Sequence, residues 1–292
     1  MNYFKKILCP LDFSDASRSA LEHAKSIAET FDSELVLMHV SPNVAEAYTA
    51  LMPDFPNYGA AREEDLVEQL NEFTGDWAGR FKKVIRVGTP YLEILEYAQN
   101  EPFDLIILGA KGLSKFERLF LGDTGDKVTR KAECPVLTVH AKPAGLPIRR
   151  ILLPTDFSPL SYAVLPIVAA IAEKYRAEIN LLHVVELGHQ LDPKTQSREY
   201  DFFEKLKSKL EEQWDLPQAF KTIETKKFIR HHIGSAGYGI MEFAQDWDID
   251  LIAMATHGRT GFSKVLMGSV TEKVIKIAPC PVLSVHSQIG HK

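Results

Sequence analysis

Cysteine is scarce in this sequence: three in 292 residues, Cys9, Cys134 and Cys280, with no Cys-x-x-Cys pair among them. An odd, scattered set of this kind argues against a disulfide framework and a thiolate metal centre. Cys134 and Cys280, each followed by Pro-Val-Leu, read as small buried hydrophobes, and a reducing, cytoplasmic setting is expected. Long apolar runs are missing too. The stretch over residues 163–172 is broken by Pro166 and falls short of the ~20 residues that cross a bilayer, so no membrane insertion is expected. The N-terminal "MNYFKKILCPLDFS" carries no signal-peptide pattern. With a formal charge of -5 and no Lys/Arg cluster, the chain has no footprint for nucleic acid. Familiar catalytic signatures are also lacking: there is no G-x-x-x-x-G-K-[ST] loop, no G-x-S-x-G elbow and no H-E-x-x-H helix. "GSAGYG" (residues 234–239) has its glycines in the wrong order for a dinucleotide fingerprint and reads as a flexible lead into a helix.

What is present is one unit written twice. "KKILCPLDFS" at Lys5 returns as "RRILLPTDFS" at Arg149, and "DLIILGAKG" at Asp104 returns as "DLIAMATHG" at Asp250. Between residues 104–140 and 250–286, 15 of 37 aligned positions are identical, where unrelated chains of ordinary composition would share roughly two or three. The Pro/Gly-bearing stretch 141–147 marks the seam. Two domains are therefore expected, residues 1–143 and 144–292.

Within each unit short apolar runs alternate with helical patterns. "KILCPL", "ELVLMHV", "KKVIRV", "DLIIL" and "CPVLTVH" read as five strands in the first half, and "RILLPT", "EINLLHV", "KKFIRHH", "DLIAM" and "CPVLSVH" in the second. Ser14-Asp15 and Ser158-Pro159 open the helices after the first strands. Ala20, Leu21, Ala24, Ile27, Ala28 and Phe31 share one helix face, while Pro166 should kink or shorten the matching helix. Leu66, Leu70, Phe73, Trp77 and Phe81 recur at helical spacing, as do Phe203, Leu206, Leu210 and Trp214. Last helices are expected over residues 124–132 and 270–278. Strand–helix alternation predicts an α/β fold: two tandem doubly wound, five-stranded parallel-sheet domains of Rossmann-like type.

In such sheets ligands sit beyond the carboxyl ends of the strands. Two segments of each unit reach that edge: the turn carrying Asp12 or Asp156, and the glycine-spaced segment after strand four. In the second half that segment, "ATHGRTGFSKVLMGS", places Gly258 after the strand and opens a helix with Gly268-Ser269. A helix N-terminus presents free N–H groups and positive dipole, which suits phosphate. The hydroxyls of Ser269 and Thr271 add hydrogen bonds. Read without a ligand, the same glycines are turn residues and Ser269 an N-cap.

Together "ILLPTDFS", "LLHV", the Ala/Gly-x2-Gly-x9-Gly-Ser segment and "APCPVLSVH" resemble the universal stress protein family, once per half and over nearly the whole chain. Members of that family fall into ATP-binding and non-binding groups, and Gly-x2-Gly-x9-Gly-(Ser/Thr) marks the binders. The resemblance implies ATP, with or without magnesium, as the ligand of the second half. Asp156 would then lie at the adenine/ribose end, and Val184 would offer backbone groups to adenine. Gly258, Gly268, Ser269, Val270 and Thr271 would hold ribose and phosphates, with Pro154, Thr155, Ala255 and His257 beside them. Ala255 departs from the glycine of the first motif position. The resemblance also implies pairing through the last strands, as a pseudo-dimer of the two halves or a homodimer.

The first half keeps Asp12, Gly109, Gly112 and Gly122 but has Asp123 where the hydroxyl residue stands, with Asp126 close behind. A carboxylate about 4 Å from a phosphate charge costs on the order of 4 kcal/mol at an effective dielectric near 20, about three decades of affinity; only a bridging cation would invert that sign. The first half is thus expected to be a degenerate partner. No metal site is expected: His39, His183, His140 and His286 read as hydrogen-bonded strand-end residues, and a zinc site from His231, His232 and His257 would require strands three and four to end side by side. Three function classes remain: a nucleotide-binding stress-response sensor or regulator, an interaction scaffold without nucleotide, and an ATPase whose hydrolysis is slow or absent.

Overall fold

Why the first helix forms where it does is visible in its first turn. Ser14 sits in extended conformation, its side chain accepts from the Ser17 amide, and Asp15 adds negative charge at the positive end of α1 (Asp15–Phe31). The predicted apolar stripe is buried throughout, from Ala20 and Ala24 to Phe31, and Asp32 ends the helix in left-handed conformation. In this computed structural model, residues 3–42, 63–110, 123–140, 146–187, 207–208, 220, 222–256 and 267–286 are described. Gly112, Gly122, His257, Gly258, Gly261 and the Phe203, Leu206, Leu210 and Trp214 set lie outside them.

The chain divides into two compact units, Asn2–Pro143 and Ala144–Lys292. In the first, β1 (Lys6–Leu11), β2 (Glu34–Ser41), β3 (Phe81–Val87), β4 (Leu105–Gly109) and β5 (Val136–Val139) make parallel pairs in the order β3-β2-β1-β4-β5. Helices α2 (Glu63–Thr74), α3 (Pro90–Asn100) and α4 (Asp123–Lys131) complete the described elements. Alternate strand residues face opposite layers: Leu8, Val36, Met38, Ile106 and Val136 pack with Ile94, Leu95 and Val128 of α3 and α4, while Ile7, Leu35, Leu37 and Ile107 on the other parity are equally buried. Both faces are covered, as a parallel sheet requires.

The second unit repeats the order as β8-β7-β6-β9-β10, from β6 (Arg150–Pro154), β7 (Glu178–Leu187), β8 (Thr225–Ile233), β9 (Leu251–Ala255) and β10 (Val282–Val285), with helices α5 (Leu165–Tyr175), α6 (Ala236–Asp246) and α7 (Ser269–Ile277). An aspartate before the fourth strand clamps the entry of the first in both units. Asp104 accepts from the amides of Lys5 and Lys6 at 2.7 and 3.0 Å; Asp250 accepts from those of Arg149 and Arg150 at 2.8 and 2.9 Å. The outer strands β3 and β8 carry Lys82, Lys83 and Arg86, and Lys226, Lys227 and Arg230.

Four readings of the sequence can be set beside the structure. Pro166 shortens its helix: Ser158 accepts from the Ser161 amide at 3.2 Å and opens a 3-10 turn over Ser161–Val164, and α5 begins only at Leu165 with Pro166 in its first turn. There the missing N–H costs nothing. The apolar spacing after Phe73 is not helical, because α2 stops at Thr74, Gly75 takes φ +60°, and Phe81 is the first residue of β3. Only Gly234 and Ser235 lead into α6; Ser235 caps it, and Gly237 and Gly239 lie inside the helix. A Cβ on Gly239 would stand 3.0 Å from both Val184 Cγ1 and His232 Cβ, so that glycine lets α6 lie close on the sheet. Finally, β8 is separated from β9 by β7 and β6, about 14 Å at the usual strand spacing, so strands three and four do not end side by side.

Gly109 and its counterpart Ala255 differ for a reason of packing. A Cβ at Gly109 would lie 2.5 Å from the Ala16 carbonyl carbon and 2.6 Å from the Ser17 amide nitrogen, backbone of the first turn of α1. In the second unit that place is taken by the 3-10 turn, and Ala255 fits there, buried. Gly109→Ala is expected to destabilise the protein by about 1–3 kcal/mol, read as a lower urea midpoint for the first unfolding transition. An unchanged midpoint would refute the packing explanation.

Candidate functional site

Strand order reverses between β6 and β9, because the chain leaves β6 toward β7 on one side and returns to β9 on the other. Crevices at such switch points, beyond the carboxyl ends of the strands, hold ligands in open α/β sheets. Beyond Pro154 the chain makes a tight turn built from hydroxyls. Asp156 Oδ1 accepts from the Ser158 amide at 3.0 Å and from Ser158 Oγ at 2.6 Å. Thr155 is buried, shares a 2.9 Å hydrogen bond with Ser161 Oγ and accepts from the Phe157 amide at 3.0 Å. Phe157 takes φ 61° and packs on the His183 ring, whose Nδ1 lies 2.7 Å from the Thr155 carbonyl oxygen. A bulky residue at positive φ is an uncommon, strained conformation, here pinned by the histidine and the hydroxyls.

Val184 follows from register. Pairing of β6 with β7 ends at Pro154↔Leu182, followed by Thr155 N donating to the Leu182 carbonyl, while β7 continues to Leu187. A residue in a parallel strand directs both backbone polar groups to one neighbour and the next residue directs its own to the other. Val184 shares the parity of Leu182, so its N–H and C=O point toward the side that β6 has vacated. Its side chain is held from the helix layer by α6 at Gly239.

Across the switch point, α7 starts at the end of β9. The Gly268 amide donates to the Thr256 carbonyl at 2.8 Å, and the buried Thr271 hydroxyl donates to the Ala255 carbonyl at 3.0 Å. Gly268 is the N-cap and supplies no side-chain hydrogen bond; Ser269 is exposed and Val270 half-buried. The first amides of any helix lack an intrahelical acceptor. Gly268 has φ -59°, and a Cβ there would meet only ordinary contacts, 3.4 Å to the Thr256 carbonyl oxygen and 4.0 Å to Thr271 Oγ1. Neither backbone conformation nor packing within the described residues demands glycine at that position.

Pro154, Thr155, Asp156, Val184, Ala255, Gly268, Ser269, Val270 and Thr271 thus gather at the carboxyl edge of β6, β7 and β9. The Thr271 hydroxyl, expected from the sequence to face a ligand, is instead committed to the strand end. The hydroxyls of Ser161 and Thr256 were not singled out in the sequence, and Ser158 was read only as a helix cap. The recurrence of Asp-Phe-Ser at Asp12 and Asp156 was the available signal for Ser158, and Thr256 lies beside Ala255.

The first unit builds the same turn. Asp12 Oδ1 accepts from the Ser14 amide at 3.1 Å and from Ser14 Oγ at 2.5 Å, Phe13 takes φ 63° and stacks on His39, and His39 Nδ1 lies 2.8 Å from the Leu11 carbonyl oxygen. Partial burial alone would raise the Asp12 carboxyl, but the Ser14 hydroxyl and amide outweigh it and hold the group below the usual carboxylate range. The phosphate end differs. Asp123 stands at the start of α4, exposed and paired with Lys127 at 2.7 Å, and Asp126 pairs with Arg130 at 2.9 Å. Lys127 is held above the usual lysine value, first by its hydrogen bond with Asp123.

Three of the four strand-end histidines are hydrogen-bonded as the sequence suggests: besides His39 and His183, His286 Nδ1 lies 3.1 Å from Thr256 Oγ1. Among the described residues no group of three His, Cys, Asp or Glu side chains is placed to hold a metal. Nor is any helix among them long and apolar enough to cross a membrane. The cysteines are free, with Cys9 and Cys280 buried; burial raises all three thiols, Cys134 to about 12, so they stay protonated at neutral pH.

Two doubly wound units with a glycine-opened helix at the switch point define a class, and the comparisons give it a family. The profile of the universal stress protein family matches residues 3–140 and again 147–286. The chain belongs to the universal stress protein family, as a tandem form. A universal stress protein of Methanocaldococcus jannaschii, MJ0531, is 34% identical over 146 residues, 47% of this chain and 83% of that one. One from Mycolicibacterium smegmatis is 24% identical over 298 residues, covering 96% of each chain. The crystal structure of a universal stress protein from Archaeoglobus fulgidus has the same fold, with TM-score 0.68 at 20% identity over 97% of this chain and 98% of that one.

Asp12 supplies a test of the turn. Its carboxyl is lower in the folded chain than the ~3.9 of an unfolded aspartate, so its contribution to stability is present above that value and is lost as pH falls through the folded value. Asp12→Asn is expected to flatten the acid limb of a stability–pH curve measured by urea unfolding between about pH 5 and pH 2. An acid limb identical to the parent's would mean the turn draws no stability from the ionised carboxylate.

Proposed function

We propose that the protein is an adenine-nucleotide-binding member of its family, a stress-response sensor or regulator, with ATP held by the second unit. The observation that carries this reading is Gly268: a glycine that neither its own backbone nor packing among the described residues requires, at the start of α7 beside the switch point. An approaching phosphate explains the missing side chain, since it needs the space of a Cβ and the free amides behind it. Val184 supplies backbone donor and acceptor groups for the adenine edge, and Asp156, oriented by Ser158, lies at the nucleoside end. Gly258 and His257 belong to the same proposed site. A magnesium ion accompanying the phosphates would find the exposed Ser269 hydroxyl nearby.

The first unit has the nucleoside-side turn but a carboxylate at the phosphate seat. Its pairing with Lys127 offsets part of the repulsion, yet the oxygen atoms still occupy the place of an anion. Binding rather than turnover is the function this reading assigns to the site.

Ser269→Asp should reproduce the first unit's arrangement in the second. By titration calorimetry of the full chain, ATP affinity is expected to fall at least about a hundredfold, from a repulsion of on the order of 4 kcal/mol partly offset by Lys273. Native mass spectrometry of the parent should show one ATP per chain. Unchanged affinity in Ser269→Asp, or a single ATP that survives it undiminished, would reject the assignment to the second unit.

A further inference from the structure

The two copies differ in one charge at the start of their last helices, and the lysine one turn further on registers the difference. In the first unit Lys127 Nζ lies 2.7 Å from Asp123 Oδ2 and at the same time 4.3 Å from the centre of the Tyr91 ring. In the second unit Ser269 and Lys273 stand at the aligned positions, while Tyr91 matches Gly237 and the ring is supplied by the next residue, Tyr238. Lys273 Nζ again lies over the tyrosine ring, at 4.4 Å, but its hydrogen bond goes to Ser235 Oγ at 3.2 Å. The neighbouring pair is retained in both copies, Asp126 with Arg130 and Glu272 with Lys276 at 2.6 Å. Among the charged side chains of this turn, what changes is the carboxylate at the helix start and the partner of this lysine.

We propose that Lys273 is the cation for the ligand's phosphate chain, held on Tyr238 and Ser235 until an anion takes the place that Asp123 fills in the first unit. The proposal rests on the nucleotide reading and adds a residue to it. The Lys127–Asp123 pair shows that a lysine at this helix position reaches an oxygen at the first residue of the helix without leaving its tyrosine. Lys273 need only give up Ser235, a neutral partner, for a charged one, and charge-assisted bonds are shorter and stronger. Four rotatable bonds in its stem allow that change. Gly237 makes room for the held position: a Cβ there would stand 2.9 Å from Lys273 Cδ, in the first turn of α6. The first unit's ion pair is then a built-in copy of the liganded state of the second.

The test is titration calorimetry of the full chain at low salt with two probes, ATP and adenosine, on the parent, Lys273→Met and Lys273→Arg. Lys273→Met is expected to weaken ATP about tenfold, the worth of one such bond, and to leave adenosine unchanged; Lys273→Arg, which keeps the charge, should bind ATP within about twofold of the parent. Equal weakening of ATP and adenosine would mean that Lys273 acts by packing α7 on α6, and unchanged ATP affinity would mean that it meets no phosphate; either overturns the proposal while the nucleotide reading stands. A parent chain that binds neither probe overturns the nucleotide reading and this role together.

Discussion

Two hydrogen bonds seat the first turn of α7 over the end of β9: the Gly268 amide to the Thr256 carbonyl and the Thr271 hydroxyl to the Ala255 carbonyl. Everything proposed for the second unit depends on them. They aim a helix start, with its unsatisfied amides, at the switch point instead of at solvent, and they do so with groups that leave Ser269 uncommitted. The opposite wall is equally constrained, because the Thr155–Ser161 and Asp156–Ser158 bonds hold the turn after β6 and His183 holds Phe157 in its left-handed conformation. Both sides of the switch point are thus set by local bonds, with little demanded of the rest of the sheet.

Duplication lets one copy serve as a control for the other. Turn, strand-end histidine, cation–aromatic contact and acidic entry clamp recur in both units. Against that constancy the helix starts differ: Ser269 and Thr271 stand where the first unit has Asp123 and Gly125, and Asp123 is an exposed carboxylate already paired within its own chain. The first unit closes its anion seat from within.

Much of this was legible from the residues. Short apolar runs alternating with helical patterns marked all ten described strands, the inner ones most clearly because a strand buried on both faces must be apolar throughout, and the last helices begin within one residue of expectation. Spacing misled where turn chemistry outranked it: Trp77 and Phe81 continue a helical period that Gly75 ends. The motif's first glycine has a cause that the sequence does not show. Gly109 answers to the backbone of α1 and Ala255 to the absence of that helix turn, so counting glycines ranks the first unit above the second for a reason unrelated to any ligand. Strand order, invisible in a linear pattern, removed the neighbourhood that a zinc site from His231 and His232 would have needed. The segment carrying His257 and Gly258 lies outside the described residues.

The lysines and arginines of β3 and β8 have a bearing on the life of the molecule in a crowded solution. An outermost strand offers its unpaired amides and carbonyls to any extended chain that drifts past. Three cations along each of these two strands meet a like-charged intruder with repulsion, so sheet growth by adding a foreign strand is discouraged at these borders. That protection is electrostatic and reaches only about 8 Å at physiological ionic strength; it therefore weakens in concentrated salt, when the hydrophobic cores behind it do not.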